Sequence, residues 1–351
     1  MSGFFSKKYA ALTPYTPGEQ PSDMRYIKLN TNESPYPPSS AALRYAAENA
    51  RTPNLYPKPD DRELAAAVGA LYGLDADEVI LTNGSDEGLN FAFMSYCDDG
   101  AAFPDISYGF YPVFAALNGV AYTEIPLRED FSIDVSDYFG LGKTIFIANP
   151  NAPTGMLLPL SEIERLIEQD PGHIVVIDEA YIDFGGESAA PLIKKYDNLL
   201  VTQTFSKSRS MAGSRLGAVF GCKERIRELW TLKYATNPYN VNSYTAALGM
   251  GVLNDPEYTK RCCGEIRKTR AYTAERLREM GFTVLDSKAN FIFAKTEKMD
   301  GGTLYTELKR RGVLVRHFDK ARIREYNRIT IGTREQMDAF LAVLTDILEG
   351  K

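Results

Sequence analysis

The sequence predicts an α/β protein with a large, mainly parallel sheet and a smaller α+β unit. Short apolar runs alternate with helical segments up to about residue 254, as in parallel strands joined by crossover helices. Beyond it, a long charged stretch precedes several short strand-like runs. One domain takes about 100–200 residues, and the chain has 351. We therefore expect an N-terminal arm at 1–45, belonging to the small domain or a dimer contact, a large domain at 46–254 and a small domain at 255–351.

The chain up to about Ser40 is expected to be an extended arm. Proline fixes φ and blocks both helices and central strands, and it recurs in segments 13–18 and 32–38. An arm this apolar is expected to lie across its own domain or a partner subunit. Helices should follow at about Ser39–Ala50 and Asp61–Tyr72.

The alternating part predicts the large sheet. Its expected strands are Glu78–Thr82, Ala101–Phe103, Ala121–Ile125, Thr144–Ala148, His173–Ile177, Leu199–Thr204 and Leu216–Phe220. A helix should run from Ser85 to about Cys97. The last third should hold helices at about 255–280 and at the end of the chain, with strands at Phe282–Leu285, Phe291–Ala294, Val313–Val315 and Arg328–Ile331. In parallel sheets ligands bind outside the carboxyl ends of the strands, which directs attention to the residues after each strand.

Composition and charge narrow the function classes. Acidic residues outnumber basic ones by 46 to 40, which argues against binding nucleic acid because a duplex needs a net basic face. The two histidines form no zinc motif and the four cysteines form no C-x-x-C pair, so we expect no metal site and no disulfide framework. With no signal peptide and no apolar run of about 18 residues, we expect a cytoplasmic protein without a membrane span.

Two loop clusters follow predicted strands. Segment 83–88 stands between a strand and a helix, where free backbone amides favour an anion, although plain capping by Ser85 or Asp86 would explain it too. Segment 149–155 contains two prolines and a glycine. It is either a rigid functional turn or a simple connection.

Two further clusters carry ionisable side chains at strand ends. Asp178 follows an apolar run, where a carboxylate is costly unless a positive group or hydrogen bonds meet it. It could serve a metal or phosphate transfer, but the sequence has no P-loop. Lys207 also follows an apolar strand, where desolvation would lower its pKa and favour an amine nucleophile; a solvated surface lysine is the alternative. Arg215 comes eight residues later.

Taken in order, these clusters resemble the pyridoxal-phosphate aminotransferases of class I/II, in the aspartate aminotransferase superfamily, and in particular the histidinol-phosphate aminotransferase family. The resemblance covers essentially the whole chain. It is carried by Leu29–Pro35, Gly84–Glu87, Pro150–Gly155, Asp178–Tyr181, Ser206–Lys207, Arg215 and Arg328–Thr333. It implies the fold type I architecture of the superfamily and pyridoxal 5′-phosphate as cofactor.

The resemblance assigns roles around the cofactor ring. Pyridoxal phosphate forms a Schiff base with a lysine and acts as an electron sink. Lys207 would be that lysine, and would also move the substrate proton as general base and acid. Asp178 would pair with the pyridine nitrogen, and Tyr181 would hydrogen-bond the phenolic oxygen. Tyr108 would stack on the ring, with plain core packing as its alternative.

The resemblance also implies how the cofactor's phosphate is held. Ser85 and Asp86 at the helix start, Ser206, and Arg215 as a bidentate fork would bind it. In this family a tyrosine of the neighbouring subunit reaches the phosphate, and Tyr56 matches its position. A homodimer with shared active sites would follow.

On the substrate side, Arg328 matches the arginine that binds an acid group, here the carboxylate of glutamate or 2-oxoglutarate. Asn32 resembles a second substrate contact. Arg316 is a candidate for the distal phosphate of histidinol phosphate, or else a solvated arginine at a strand end.

The chain departs from the family pattern in two places. Many relatives carry Asn directly before Pro-Thr-Gly, where it contacts the cofactor's phenolic oxygen, but this chain has Ala152 there. Either Asn151 takes the role through a shifted turn, or Tyr181 acts without it. Some relatives also have an arginine pair in the early arm, which segment 17–21 lacks.

The resemblance implies transfer of the amino group of L-histidinol phosphate to 2-oxoglutarate, giving imidazole acetol phosphate and L-glutamate in histidine biosynthesis. Two activities on the same scaffold are alternatives: an aromatic amino-acid aminotransferase, since a pocket for imidazole admits a phenyl ring, and a threonine-phosphate decarboxylase. A cofactor-binding transcription regulator would need a basic DNA-binding module, and the net acidic sequence favours an enzyme.

Overall fold

The computed structural model describes residues 4–50 and 52–351. Residues 1–3 of the predicted arm and residue 51 of the predicted large domain lie outside it. The arm contains one helical turn at Lys7–Tyr9 and then runs without regular structure to the short strand β1 (Ile27–Lys28). This strand pairs in parallel with residues 313–314. The arm therefore pairs with its own chain at this strand, and a contact of the arm with a partner subunit stays a prediction.

The first unit is built on a seven-stranded sheet. Its strands are β2 (Val79–Asn83), β3 (Ala101–Pro104), β4 (Tyr122–Ile125), β5 (Thr144–Ala148), β6 (Val175–Asp178), β7 (Leu199–Thr204) and β8 (Leu216–Phe220). Their order is β2-β8-β7-β6-β5-β3-β4, and within this sheet β8 runs in the direction opposite to the other six strands. All residues of β5 to β8 are buried. The mainly parallel architecture that the apolar runs predicted is confirmed.

The second unit contains the strands that follow the long helix at Pro256–Glu279. Its strands are β9 (Phe282–Val284), β10 (Phe291–Thr296), β11 (Val313–Leu314), β12 (Arg316–His317) and β13 (Asn327–Thr330). Four of them form an antiparallel sheet in the order β12-β13-β10-β9, and β11 pairs with β1 of the arm. Ile292, Ile329 and Phe340 belong to an apolar core of this unit. The predicted small α+β unit is thus present.

The described residues contain ten α-helices: α1 (Ser40–Asn49), α2 (Arg62–Ala70), α3 (Gly84–Tyr96), α4 (Tyr111–Asn118), α5 (Leu160–Glu168), α6 (Lys223–Thr236), α7 (Ser243–Leu253), α8 (Pro256–Glu279), α9 (Gly301–Arg310) and α10 (Arg334–Leu348). Ser39, Asp61 and Asn242 cap α1, α2 and α7 by accepting from the amide three residues on. None of the helices in this part of the chain is both long and apolar enough to cross a membrane.

The first predicted domain boundary, at residue 45, falls inside α1. The buried Ala42 and Ala46 belong to the core of the large unit, and the Ala42 backbone packs closely on Gly251 of α7. This packing favours a boundary before Ser40, and the division of the chain at this point stays a prediction. The second boundary, after residue 254, falls between α7 and α8 and stays a prediction.

Candidate active site

Two adjoining cavities lie where β6 and β7 end and α3 begins. The inner one, of about 90 Å³, is lined by the predicted residues Ser85, Asp86, Tyr108, Asp178, Tyr181, Ser206, Lys207 and Arg215. The outer one, of about 290 Å³, shares Tyr108, Tyr181 and Lys207 with it and adds the predicted substrate residues Asn32, Arg316 and Arg328. All predicted site residues except Asn151 and Tyr56 therefore line one composite cavity.

Lys207 stands in the turn that leaves the buried strand β7. Its ammonium group donates to the Thr31 carbonyl oxygen at 3.1 Å, and within residues 4–50 and 52–351 no carboxylate lies within ion-pairing distance of it. Burial, assisted by the positive charge of Arg328, lowers the pKa of Lys207 to about 8. A substantial fraction of this amine is neutral near physiological pH, as a nucleophile requires.

Asp178 is the last residue of β6 and is only 5% exposed. Its carboxylate accepts from the Tyr111 hydroxyl at 3.1 Å and from the Thr202 hydroxyl at 3.3 Å. Burial raises the pKa of Asp178 to about 6, although both hydroxyl donors act against that rise. Among the described side chains no cation pairs with it. A buried carboxylate that lacks a cation fits a ligand bringing its own positive charge, such as a protonated pyridine nitrogen.

The opposite end of the inner cavity is built for an anion. Arg215 donates to Ser206 Oγ at 3.3 Å and to Asp86 Oδ2 at 3.1 Å, beside the N-terminus of α3. A Cβ at Gly84 would collide with this guanidinium group, and Gly84 has a φ of 71°. Glycine is therefore needed where α3 meets the arginine. Helix-start amides together with an arginine fork suit a phosphate group.

The antiparallel strand β8 explains how Arg215 reaches this end. Residues 205–215 join β7 to β8 in a loop that reverses the chain, so β8 starts at the edge where β7 ends. Arg215 itself has a φ of 56°, in the left-handed region. The reversal brings Arg215 and Ser206 within hydrogen-bonding distance.

Two tyrosines flank the space between these ends. The Tyr108 hydroxyl donates to Asp86 Oδ1 at 2.7 Å, and its ring packs edge-on against Tyr111. The Tyr181 phenolic oxygen accepts from the Asn32 side-chain amide at 2.9 Å. Burial raises the pKa of Tyr181, while the nearby Arg328 and the Asn32 hydrogen bond oppose the rise.

Arg328 lies on β13 near the rings of Phe291 and Phe318, with its guanidinium carbon 5.4 and 5.7 Å from their centroids. It donates to the Asn30 carbonyl oxygen at 2.9 Å. Its Nε is buried and has no hydrogen-bond partner in the part of the chain described. Arg328 lines the outer cavity, and among the described residues its terminal guanidinium nitrogens donate only to Asn30, so N–H groups remain for an acid group. Arg316 donates to two arm carbonyls, those of residues 16 and 17.

Asn151 is the predicted cofactor contact that the structure does not bring to the cavity. Its amide nitrogen donates to the Ile106 carbonyl and to Thr154 Oγ1, both at 3.0 Å, and its oxygen accepts from Ser107 at 2.9 Å. Because both amide hydrogens hold the loop together, none remains for a ligand. Ala152 lines the cavity instead, so the shifted turn, one of the two alternatives for this loop, is not formed.

Tyr56 also lies away from the composite cavity. It is 81% exposed and stacks on Tyr239 with ring centroids 4.5 Å apart. Its predicted role requires a second subunit, so the role stays a prediction.

Several residues that line the cavities or hold the reactive groups are not among those predicted from the sequence. Tyr15 and Lys320 line the outer cavity, Thr31 accepts from Lys207, and Tyr111 and Thr202 hold Asp178. Tyr111 closes the aromatic cluster that contains Tyr108, and Thr31 stands inside the motif of the arm, so their positions carried a signal. Nothing in the sequence pattern distinguishes Lys320 or Thr202.

Comparison with known proteins supports the same assignment. The family model for aminotransferase class I and II matches residues 25–344. The histidinol-phosphate aminotransferase of Brachyspira hyodysenteriae is 46% identical over 99% of this chain and all of that protein, and that of Aromatoleum aromaticum is 45% identical with the same coverage. The crystal structure of the Sinorhizobium meliloti histidinol-phosphate aminotransferase in complex with pyridoxal 5′-phosphate superposes with a TM-score of 0.85, at 20% identity, over 93% of this chain and 92% of that one.

These similarities agree with the fold and with the arrangement of the cavity. The aspartate aminotransferase-like architecture expected from the sequence is confirmed. The buried lysine, the carboxylate without a cation and the anion-binding end together fit pyridoxal phosphate. The chain belongs to the class I and II aminotransferases and is a pyridoxal-phosphate-dependent transaminase.

Proposed function

We propose that this aminotransferase moves the amino group of L-histidinol phosphate to 2-oxoglutarate, in histidine biosynthesis. The charge of the outer cavity is the observation that carries the proposal. Lys207, Arg316, Lys320 and Arg328 line it, and none of its described lining residues is acidic. Such a cavity suits a donor with a phosphate and an acceptor with two carboxylates. The names of the full-length relatives support the same donor.

The residues of the inner cavity would divide the chemistry among them. Bound pyridoxal phosphate supplies the electron sink that makes the substrate Cα–H acidic. Lys207 would carry the cofactor, and its amine would then hold and return the proton of Cα, for which a pKa of about 8 is well placed. Asp178 would keep a proton on the pyridine nitrogen, and Ser85, Ser206 and Arg215 would hold the phosphate.

On the outer side, two arginines would sort the substrates by their acid groups. Arg328 would bind the carboxylate of the oxo acid through guanidinium N–H groups that the Asn30 contact leaves free. Arg316 would exchange the carbonyls of Thr16 and Pro17 for the distal phosphate. Asn32 was expected to touch the substrate, but its amide is engaged with Tyr181.

We also propose a homodimer with shared active sites. Tyr56 and Leu55 are 81% and 61% exposed, and they line a groove beside α7. Large exposed apolar side chains grouped in this way favour burial against a partner. In a symmetric dimer, Tyr56 of one subunit would reach the phosphate end of the other site.

A cytoplasmic location of the protein stays a prediction.

A single half-reaction tests the donor. The purified holoenzyme is mixed with L-histidinol phosphate and no oxo acid, and the pyridoxal absorbance is followed. Its stoichiometric loss, with formation of pyridoxamine phosphate, is the expected result. Turnover of phenylalanine or tyrosine but not of histidinol phosphate would move the assignment to an aromatic aminotransferase, and carbon dioxide release from O-phosphothreonine would move it to a decarboxylase.

A matched pair of variants links the donor to the cavity. Arg316→Gln should raise KM for histidinol phosphate about 10–100-fold, the loss expected for a charge-assisted contact, while KM for glutamate changes little. Arg324→Gln removes an arginine that is absent from the cavity lining and largely exposed. It should leave both constants unchanged. Equal effects of the two variants would contradict the role of Arg316.

A further inference from the structure

Asn32 is a buried arm residue that the small unit holds in a fixed position. It is 1% exposed and has a φ of 57°. Its backbone N–H donates to Thr330 Oγ1 at 3.0 Å, and its carbonyl oxygen accepts from the Asn290 side-chain amide at 2.9 Å. Thr330 ends β13 and Asn290 precedes β10. The arm is therefore tied at this residue to two strands of the small sheet.

The Thr330 hydroxyl determines which way the carboxamide of Asn32 faces. Since the hydroxyl oxygen accepts from the Asn32 backbone, its own proton is free to donate to Asn32 Oδ1, 2.9 Å away. With Oδ1 facing Thr330, Nδ2 faces Tyr181 and lies 2.9 Å from the phenolic oxygen. An amide nitrogen can only donate, so the phenolic oxygen of Tyr181 must accept.

This arrangement leaves the proton of Tyr181 available for another acceptor. The ionisable groups that act on the phenol are Arg328 on β13, Asp178 at the end of β6 and Tyr15 of the arm. No hydrogen bond donated by Tyr181 is formed within the described residues. Tyr181 lines the inner cavity beside Lys207, and that cavity is where its proton can find an acceptor.

The residue next to Asn32 contacts the other reactive group. The Thr31 carbonyl oxygen accepts from the Lys207 ammonium at 3.1 Å. One dipeptide of the arm therefore holds both the amine and the phenol that face the cofactor, and it is itself held by the small sheet.

We propose that Asn32 is a positioning residue for Tyr181: it donates to the phenolic oxygen, directs the phenolic proton into the cavity towards a phenolate oxygen of the cofactor, and couples that contact to the small unit through Thr330. The inference deepens the proposed function and rests on the role of Tyr181 in it. It differs from the substrate contact that the sequence suggested for Asn32. It also differs from a purely structural role, which would affect stability but not the electronic state of the cofactor.

The test is a pH titration of the absorbance of the bound cofactor. Asn32→Asp has the same shape but can only accept, so it would draw the phenolic proton away from the cavity. Asn32→Gly removes the side chain without adding charge and tolerates the left-handed backbone. The titrating group is the Schiff base between the cofactor and Lys207. We expect its apparent pKa to rise by about one unit, a tenfold shift, in Asn32→Asp, and by less in Asn32→Gly.

A double-mutant cycle with Tyr181→Phe makes the test specific. If Asn32 acts through Tyr181, the shift caused by Asn32→Gly should vanish in the Tyr181→Phe background, and the shift caused by Asn32→Asp should fall to its purely electrostatic part. Equal shifts in the two backgrounds would overturn the proposal, as would an unchanged titration in both Asn32 variants. Thr330→Val should produce a smaller rise, since the carboxamide is then free to turn.

Asn327→Asp is the matched control. Asn327 is as buried as Asn32 and lies on β13, the strand that ends at Thr330. Its side chain donates to the Gly301 carbonyl, and it is absent from the lining of both site cavities. It should lower stability without moving the titration. The donor half-reaction of the wild-type enzyme is measured first. Failure there refutes the proposed donor, whereas a normal half-reaction with unshifted variants refutes only the role of Asn32.

Discussion

The lowered pKa of Lys207 predicts the pH at which the apoprotein captures its cofactor. Only the neutral amine adds to an aldehyde. A lysine with the ordinary pKa of about 10.4 is neutral in roughly one molecule in 2,500 at pH 7, whereas a pKa of about 8 makes roughly one in ten neutral. The neutral fraction of Lys207 at pH 7 is therefore roughly 200-fold larger than that of a solvated lysine, which should speed capture.

The perturbation is Arg328→Met, which removes the charged group that most lowers the pKa of Lys207. Without this positive charge the ammonium form is less disfavoured, so the pKa should rise by about half a unit to one unit. Capture at pH 7 should slow about 3–10-fold as a result. Arg324→Met, at an exposed arginine outside both site cavities, is the control and should have no effect.

The assay follows cofactor absorbance after mixing apoprotein with pyridoxal phosphate, from pH 7 to pH 10 at constant ionic strength. The logarithm of the second-order rate constant should rise with unit slope to about pH 8 and then level off. In Arg328→Met the break should move upwards. A wild-type rate that keeps rising to pH 10 would refute the reasoning, because Lys207 would then behave as a solvated amine.

Three further predictions concern the surroundings of the site. The ring of Phe146 is fully buried and stacks on Phe93 with centroids 4.1 Å apart. Phe146→Ala should lower the free energy of unfolding by about 3–5 kcal/mol in urea titrations, and a loss below about 1 kcal/mol would contradict tight packing there. Asp183→Asn leaves the buried Arg209 without its ion-pair partner and should lower the free energy of unfolding by about 2–4 kcal/mol. Adding Arg209→Met should restore part of this loss, and additive losses in the double variant would argue against the pair. Tyr111→Phe removes a hydroxyl donor from the Asp178 carboxylate and should weaken cofactor binding about 2–10-fold in equilibrium titrations, while unchanged affinity would show that this hydrogen bond is dispensable.

The fold was readable from the sequence because fully buried strands are continuous apolar runs. The predicted strands Thr144–Ala148, Leu199–Thr204 and Leu216–Phe220 have the bounds that the structure shows. The direction of β8 was not readable, since an apolar run looks the same in either direction. The packing of α1 was not readable for a similar reason, since alanines on a helix do not show which unit they pack against.

The position of the site was readable as well, because ionisable residues at the ends of apolar strands are costly without a ligand. Asp178 and Lys207 satisfy this rule, and both line the inner cavity. Asn151 was assigned by analogy with a neighbouring position in a motif. The structure turns its amide into the loop, where Ile106, Ser107 and Thr154 satisfy it.

Local pattern by itself determined the elements of this protein, the buried strands and the strand ends that carry its reactive groups. Only the tertiary structure decided which side chains pair across them. Asn32 meets Tyr181 across 149 residues of chain, and Lys207 meets Thr31 across 176. The physical reason is that burial and strand periodicity depend on near neighbours in the sequence, whereas a hydrogen bond between distant segments depends on how the arm, the large sheet and the small sheet pack together.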